Sequence, residues 1–225
     1  MIRQTSDDPI LLDIEVQRDF FRTGGSCYTP AALPVLKNVY GLIDWAWRHR
    51  IPVLSTVLRV RRRERGPLAG KPHCVEGTDG EKKLSRTVLP RRINLGMRST
   101  TDLPRNLLGR YRQVIFEKRS TNIFTHAGAE RLITELPRRT FVVCGAGLAK
   151  GIAEAAIGLR AHGFGVIVAC DAVLDLGDPM AAMARMRMEA KGVVFAPTSE
   201  IISPRPARRV APLRPLRRLT RRCNA

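Results

Sequence analysis

Residues 141–171, FVVCGAGLAKGIAEAAIGLRAHGFGVIVACD, constrain the fold of this chain more than any other stretch. Phe141 to Cys144 is a short apolar run rich in β-branched residues, the pattern of a strand buried on both faces. Gly145 and Gly147 interrupt the run, and a helical pattern follows to about Ala161. His162-Gly163 stops that helix, since glycine readily takes the left-handed conformation of a C-cap. Gly165 to Ala169 reads as a second buried strand, ending near Asp171. Parallel strands need a crossover of this kind, so the stretch is one βαβ unit. In open α/β sheets the ligand sits beyond the carboxyl ends of the strands. The loop Gly145–Gly151 is therefore the first place to expect chemistry.

The rest of the chain repeats the alternation. Pro9–Glu15, Pro52–Val57, Gln113–Glu117 and Val193–Ala196 read as further strands. Asp13 and Glu15 are expected on one face of the first strand. Burying both unpaired is costly, so at least one is expected at the strand end beside a cation. Thr29-Pro30 reads as a helix start, with Leu36, Val39, Tyr40, Ile43 and Trp47 following at helical spacing. Gly66–Asp102 is rich in Pro and Gly without clear periodicity, and Arg105–Leu108 reads as a short helix. Ala127–Leu136 is a helix ended by Pro137. Asp178-Pro179 opens a helix to about Ala190 whose Met180, Met183, Met186 and Met188 are expected to fill core space. The order of elements predicts a three-layer α/β/α sandwich with a mostly parallel six-stranded sheet. The domain is expected over residues 9–202, after a loose arm of residues 1–8 and before a tail of residues 203–225.

Charge and cysteine usage narrow the partners. The formal net charge is +19, and part of it is local: eight arginines and no acid lie between Ser203 and Ala225. A tail so rich in Pro and Arg is expected to be disordered alone and to offer weak, nonspecific, salt-sensitive contact with nucleic acid or another polyanion. It lacks the interleaved aromatics that base stacking needs. No apolar run approaches the ~20 residues of a membrane span, and the first residues are polar, so a cytoplasmic protein is expected. Five scattered cysteines without a CxxC pair argue against a zinc site or a disulfide framework. Gly145, Gly147 and Gly151 suggest a dinucleotide loop, but that fingerprint needs a glycine at 150, which is Lys. No cofactor is expected.

Four stretches together resemble the isochorismatase-like, or cysteine hydrolase, superfamily, which includes nicotinamidases. Glu15-Val16-Gln17-Arg18-Asp19-Phe20 is similar to that family's D-x-Q-x-D-F, and Lys118 to Phe124 to its K-x-x-x-S-x-F. Gly145 through Asp171-Ala172 resembles its G-V-x-T-x-x-C loop, helix and following strand. Lys71 to Thr78 resembles the P-x-H-C-V-x-G-T segment of nicotinamidase-type members. The resemblance implies an Asp-Lys-Cys triad, whose positions here hold Glu15, Lys118 and Gly151. A glycine forms no thioacyl intermediate, so cysteine-dependent amide hydrolysis is not expected at that position. It also implies a metal site whose first two positions are Leu58 and Val60, leaving His73 without partners, so no bound metal is expected. True isochorismatases resemble this chain in carrying glycine at the nucleophile position, and they cleave a vinyl ether. That chemistry needs a proton donor, a role for Glu15, with Lys118 orienting an anionic substrate. The alternative is a buried Glu15–Lys118 pair that does no chemistry, in a pseudoenzyme that binds a partner or polyanion. A small-molecule pocket is expected where Glu15, Lys118 and residues 146–151 meet, with Asp13, His73, Asn122, Ala146 and Gly147 as lining candidates. The resemblance also implies a homo-oligomer.

Overall fold

The computed structural model describes residues 9–65, 68, 70–137 and 139–203. The expected N-terminal arm and the arginine-rich tail beyond Ser203 lie outside them. In chain order the strands are β1 (Ile10–Ile14), β2 (Val53–Leu58), β3 (Arg92–Asn94), β4 (Gln113–Lys118), β5 (Thr140–Ala146), β6 (Gly165–Leu174) and β7 (Val194–Ala196). The α-helices are α1 (Arg18–Phe21), α2 (Ala32–Arg48), α3 (Leu107–Arg110), α4 (Ala127–Thr134), α5 (Ala153–Ala161), α6 (Ala181–Ala190) and α7 (Thr198–Ile201).

The strands form one sheet in the order β3-β4-β2-β1-β5-β6-β7, every pairing parallel. Seven strands replace the six expected. The extra one is β3, inside the excursion expected to be irregular. Three residues at the sheet edge are too few to show a period in sequence. Alternation along the central strands divides the core. Leu12, Ile14, Phe116, Val143 and Val168 pack on one face with the buried sides of α4, α5 and α6. Leu11, Val53, Val142, Ile167 and Ala169 pack on the other with α2. Sheet order reverses between β1 and β5: the chain builds leftward from β1, then resumes on its right. In parallel sheets such a switch point opens a crevice at the carboxyl ends.

Local differences have local causes. Helix α2 begins at Ala32 with Ala31 at its N-cap, so Thr29 does not cap it. The short helix expected at Arg105–Leu108 lies at Leu107–Arg110. β6 continues past Asp171 to Leu174, and Asp171 accepts hydrogen bonds from the backbone N–H and hydroxyl of Thr198 at 2.8 and 2.7 Å. That contact anchors α7. Of the four methionines expected in the core, only Met188 is buried. Met180, Met183 and Met186 are 50–69% exposed, because their three-residue spacing carries them along the outer side of α6. No described helix is long and apolar enough to cross a membrane.

Candidate active site

Three strand ends build the site. Glu15 follows β1 with φ +53°, a left-handed conformation uncommon for a residue with a side chain. Its N–H donates to the Thr56 carbonyl and hydroxyl oxygens, both at 3.2 Å, which fixes the turn. The left-handed step ends the strand alternation that placed Asp13 and Glu15 on one face, and the two acids take different partners. The Asp13 carboxylate accepts from Ser55 Oγ at 2.7 Å and pairs with the Lys83 ammonium, fully buried. The Glu15 carboxylate turns to Lys118, the last residue of β4. Both acids thus have a cation.

The Glu15–Lys118 pair is sealed, its side chains 3% and 1% exposed. Lys118 Nζ also donates to the carbonyls of Ser120 and Thr121 at 2.8 and 2.9 Å. An ammonium has three N–H donors, and all three are engaged. Lys118 therefore positions Glu15 and holds the following loop.

The third strand end is β5. Gly145 (φ +124°) lies beside Ile14, and Gly147 (φ +82°) precedes a single π-type turn, Leu148–Ile152, that leads into α5. Its bond from Ile152 N–H to the Gly147 carbonyl is 3.1 Å. Such turns are often found at functional sites. The opening N–H groups of a helical segment have no acceptor within it and favour an anionic group in front of them. A Cβ at Gly151 would lie 3.0 Å from Ile14 Cγ2 and 3.5 Å from Glu15 Oε1. Residue 151 therefore faces the carboxylate with almost no intervening matter.

These ends meet at a cavity of about 350 Å³ at the β1/β5 switch point. Of the residues expected there, Glu15, Gly147, Gly151 and His73 line it. Ala146 and Asp13 are buried and do not, and Lys118 stands behind Glu15. Asn122 lies outside the lining; its Oδ1 accepts from Phe124 N–H at 2.9 Å and starts a short turn. His73 Nδ1 donates to the Lys71 carbonyl at 2.8 Å, and its ring rests against Phe20. Sequence reasoning missed Cys27, Lys71 and Leu58 as wall residues. The one signal available was Asp19. Its backbone carbonyl accepts from Cys27 N–H at 3.0 Å, and its carboxylate accepts from Ser26 and Cys74 N–H at 3.0 and 2.6 Å. One motif acid thus staples two distant loops into the wall. Burial pushes the Cys74 and Cys144 thiols up, which makes both poor nucleophiles.

A second ion cluster ties the excursion to the strand ends. Arg59 grips Glu117 through two bonds of 2.9 and 2.8 Å and also pairs with Glu81, while Asn94 donates to Glu117 at 2.8 Å. Burial pushes the Glu117 carboxyl up, but the bonds from Arg59 and Asn94 outweigh it and hold the group below its ordinary value. A lowered folded pKa contributes stability that is complete above the unfolded value of about 4.3 and is lost as pH falls through the folded one. Thermal melts are expected to show this acid-side loss in the wild type and a shallower slope in Glu117→Gln. Equal slopes would remove the cluster's role.

The fold is thus an all-parallel α/β sheet with a carboxylate, its ammonium partner and a helix start brought together at the switch point. The sequence model of the Isochorismatase domain matches residues 9–200, and the chain belongs to that family. Solved structures agree in fold. N-carbamoylsarcosine amidase from Thermoplasma acidophilum superposes with a TM-score of 0.64 at 17% identity, covering 85% of this chain and 96% of that one. Pyrazinamidase of Pyrococcus horikoshii in complex with zinc gives 0.63 at 19% identity, covering 84% and 99%. An isochorismatase family protein from Desulfovibrio vulgaris gives 0.64 at 20% identity, covering 87% and 97%. No curated protein sequence matches the chain.

The zinc in one of these relatives raises the question of a metal here. Leu58 and Val60 are buried side chains without a donor atom, and Leu58 forms part of the apolar cavity wall. His73 has one ring nitrogen already committed to Lys71. No group of three or more His, Cys, Asp or Glu residues suited to a metal occurs among the described residues. These residues do not fit the ion.

Proposed function

We propose that this chain binds a small molecule in the switch-point cavity and that Glu15, rather than a thiol at residue 151, is the group that acts on it. The observation that carries the reading is the contact geometry at Gly151. The site that the family resemblance assigns to the sulfur holds only hydrogen, and the Glu15 carboxylate stands 3.5 Å from where a Cβ would be. With no thiol at residue 151, the role we assign to Glu15 is proton transfer. The proton that Glu15 and Lys118 share passes to the carbon of a vinyl ether and makes the ether carbon electrophilic; water adds there and returns a proton to the pair, and the hemiketal so formed releases the alcohol and leaves a carbonyl. The N–H groups opening the turn at Leu148 suit a substrate carboxylate. Lys118 contributes by fixing Glu15 rather than by touching substrate.

Purified protein assayed against vinyl ethers and aryl amides tests this. Vinyl-ether turnover is expected to fall by about 10²–10⁴ in Glu15→Gln, the usual worth of a general acid. The wild type is expected to leave amides intact. Gly151→Cys is expected to gain amide turnover, because only the Ile14 methyl needs to shift for the new Cβ. Vinyl-ether turnover unmoved by Glu15→Gln would sink the assignment. The fully engaged Lys118 ammonium favours one second reading, a binder without turnover whose ion pair is structural. Ligand-induced stabilisation with no turnover of either substrate class would establish it.

A further inference from the structure

The switch-point cavity lies at the carboxyl ends of the parallel strands, so their amino ends face away from it. Four arginines gather at those amino ends. Arg50 precedes β2, Arg91 precedes β3, and Arg110 and Arg112 precede β4. Contacts between the segments hold them together. Arg112 Nη1 donates to the Arg50 carbonyl at 2.9 Å and Nη2 to the Trp47 carbonyl at 3.4 Å, at the end of α2. Arg91 Nη2 donates to the Arg110 carbonyl at 2.9 Å, at the end of α3. Helix ends leave such carbonyls open, and that accounts for Arg112 and Arg91. It does not account for the side chains of Arg50 and Arg110, which are exposed.

No carboxylate offsets the cluster. Asp44, the one acid of α2, pairs with Arg86 at 3.4 Å, and among the described residues no ion pair involves Arg50, Arg91, Arg110 or Arg112. Burial pushes the Arg112 guanidinium down, and the like charges of Arg50 and Arg91 push it further. Arg50 also sits badly in its turn. It follows the C-cap of α2 with φ +57°, where glycine is the usual residue. Its N–H donates to the Trp47 carbonyl at 3.3 Å and Ile51 N–H to the Ala46 carbonyl at 2.9 Å, so the turn itself needs no arginine.

An exposed aromatic stands among these charges. Trp47 is 45% exposed, and the Arg112 guanidinium lies 6.0 Å from its ring centroid. The Arg110 guanidinium lies 5.6 Å from that of Tyr111. Positive charge alone suits any polyanion. A flat ring beside it adds a platform for a base, and only an unpaired strand has bases free to stack.

We propose that this amino-end face binds single-stranded nucleic acid, with Arg50, Arg91 and Arg110 on its phosphates and Trp47 under a base. The face is separate from the cavity, so binding here neither requires nor reports on the chemistry of Glu15.

Fluorescence anisotropy of a labelled single strand of about twelve nucleotides, titrated with the full chain over a range of salt, tests this. Binding is expected, weakening as salt rises. Trp47→Ala is expected to weaken it about tenfold, as loss of one stacked base does, with the salt slope unchanged. Arg110→Gln is expected to weaken it and to flatten the slope by about 0.7, one phosphate contact. Arg50→Gly is expected to do the same while raising the melting temperature, because glycine takes the left-handed turn freely. An arginine needed only for the fold would instead lower the melting temperature and leave affinity unchanged. No binding at low salt overturns the proposal. So does affinity unmoved by Arg50→Gly and Arg110→Gln, which would place the binding in the arginine-rich tail. Affinity lost in those variants but kept in Trp47→Ala overturns the single-strand assignment, as does binding to phosphatidylserine vesicles without binding to the strand. If Trp47→Ala fails to fold, a duplex of the same sequence replaces it, and a duplex bound as tightly as the single strand overturns the stacked base.

Discussion

Lys118→Ala is expected to lower the unfolding free energy by about 3–5 kcal/mol, because it strands a carboxylate that is only 3% exposed. The Ser120 and Thr121 carbonyls lose their donor in the same step. Against a total of roughly 5–15 kcal/mol for a folded domain, that is a large share. The double variant Glu15→Met with Lys118→Met removes both charges and is expected to lose less than Lys118→Ala alone, since no charge is left buried without a partner. Urea unfolding of Glu15→Met, Lys118→Met and the double closes the cycle. A double variant that loses the sum of the singles would show that the two groups do not act as a pair. Activity would then need another explanation, because the carboxylate would not depend on Lys118 for its position.

Gly145→Ala is expected to cost about 3–5 kcal/mol, combining a conformation closed to side chains with overpacking against β1. At φ +124° the added methyl would overlap the Ile14 carbonyl oxygen, a backbone atom that cannot swing aside. Gly147→Ala supplies the contrast. Its φ of +82° is also left-handed, but the nearest atom to a Cβ there is Gly151 N at 3.7 Å. Only the conformational cost of about 1–2 kcal/mol remains. Thermal melts that rank the two variants equally would show that the close approach of β1 and β5 is not what Gly145 is needed for. The distinction matters for function, since Gly145 sets the distance between Glu15 and the turn carrying Gly151.

Much of this was open to reading in the sequence. The apolar runs of β1, β4, β5 and β6 are long enough to betray their periods, and the glycines around residues 145–151 mark a turn whatever packs beside it. The motif around Lys118 and the D-F motif at Asp19-Phe20 placed the strand ends. β3 is not legible because three residues carry no period. Burial in α6 does not follow residue type, since the spacing of its methionines puts three of them outward. Asn122 lies outside the pocket lining because its side chain serves its own backbone, a local bond that a motif does not reveal.

The sequence by itself determined the layered α/β order, the residue types at the three strand ends and the absence of a thiol at position 151, because these follow from short-range pattern and identity. Only the tertiary structure decided which groups face each other. The left-handed turn at Glu15 depends on its bonds to Thr56, 41 residues away, and the saturation of Lys118 on a pairing 103 residues apart.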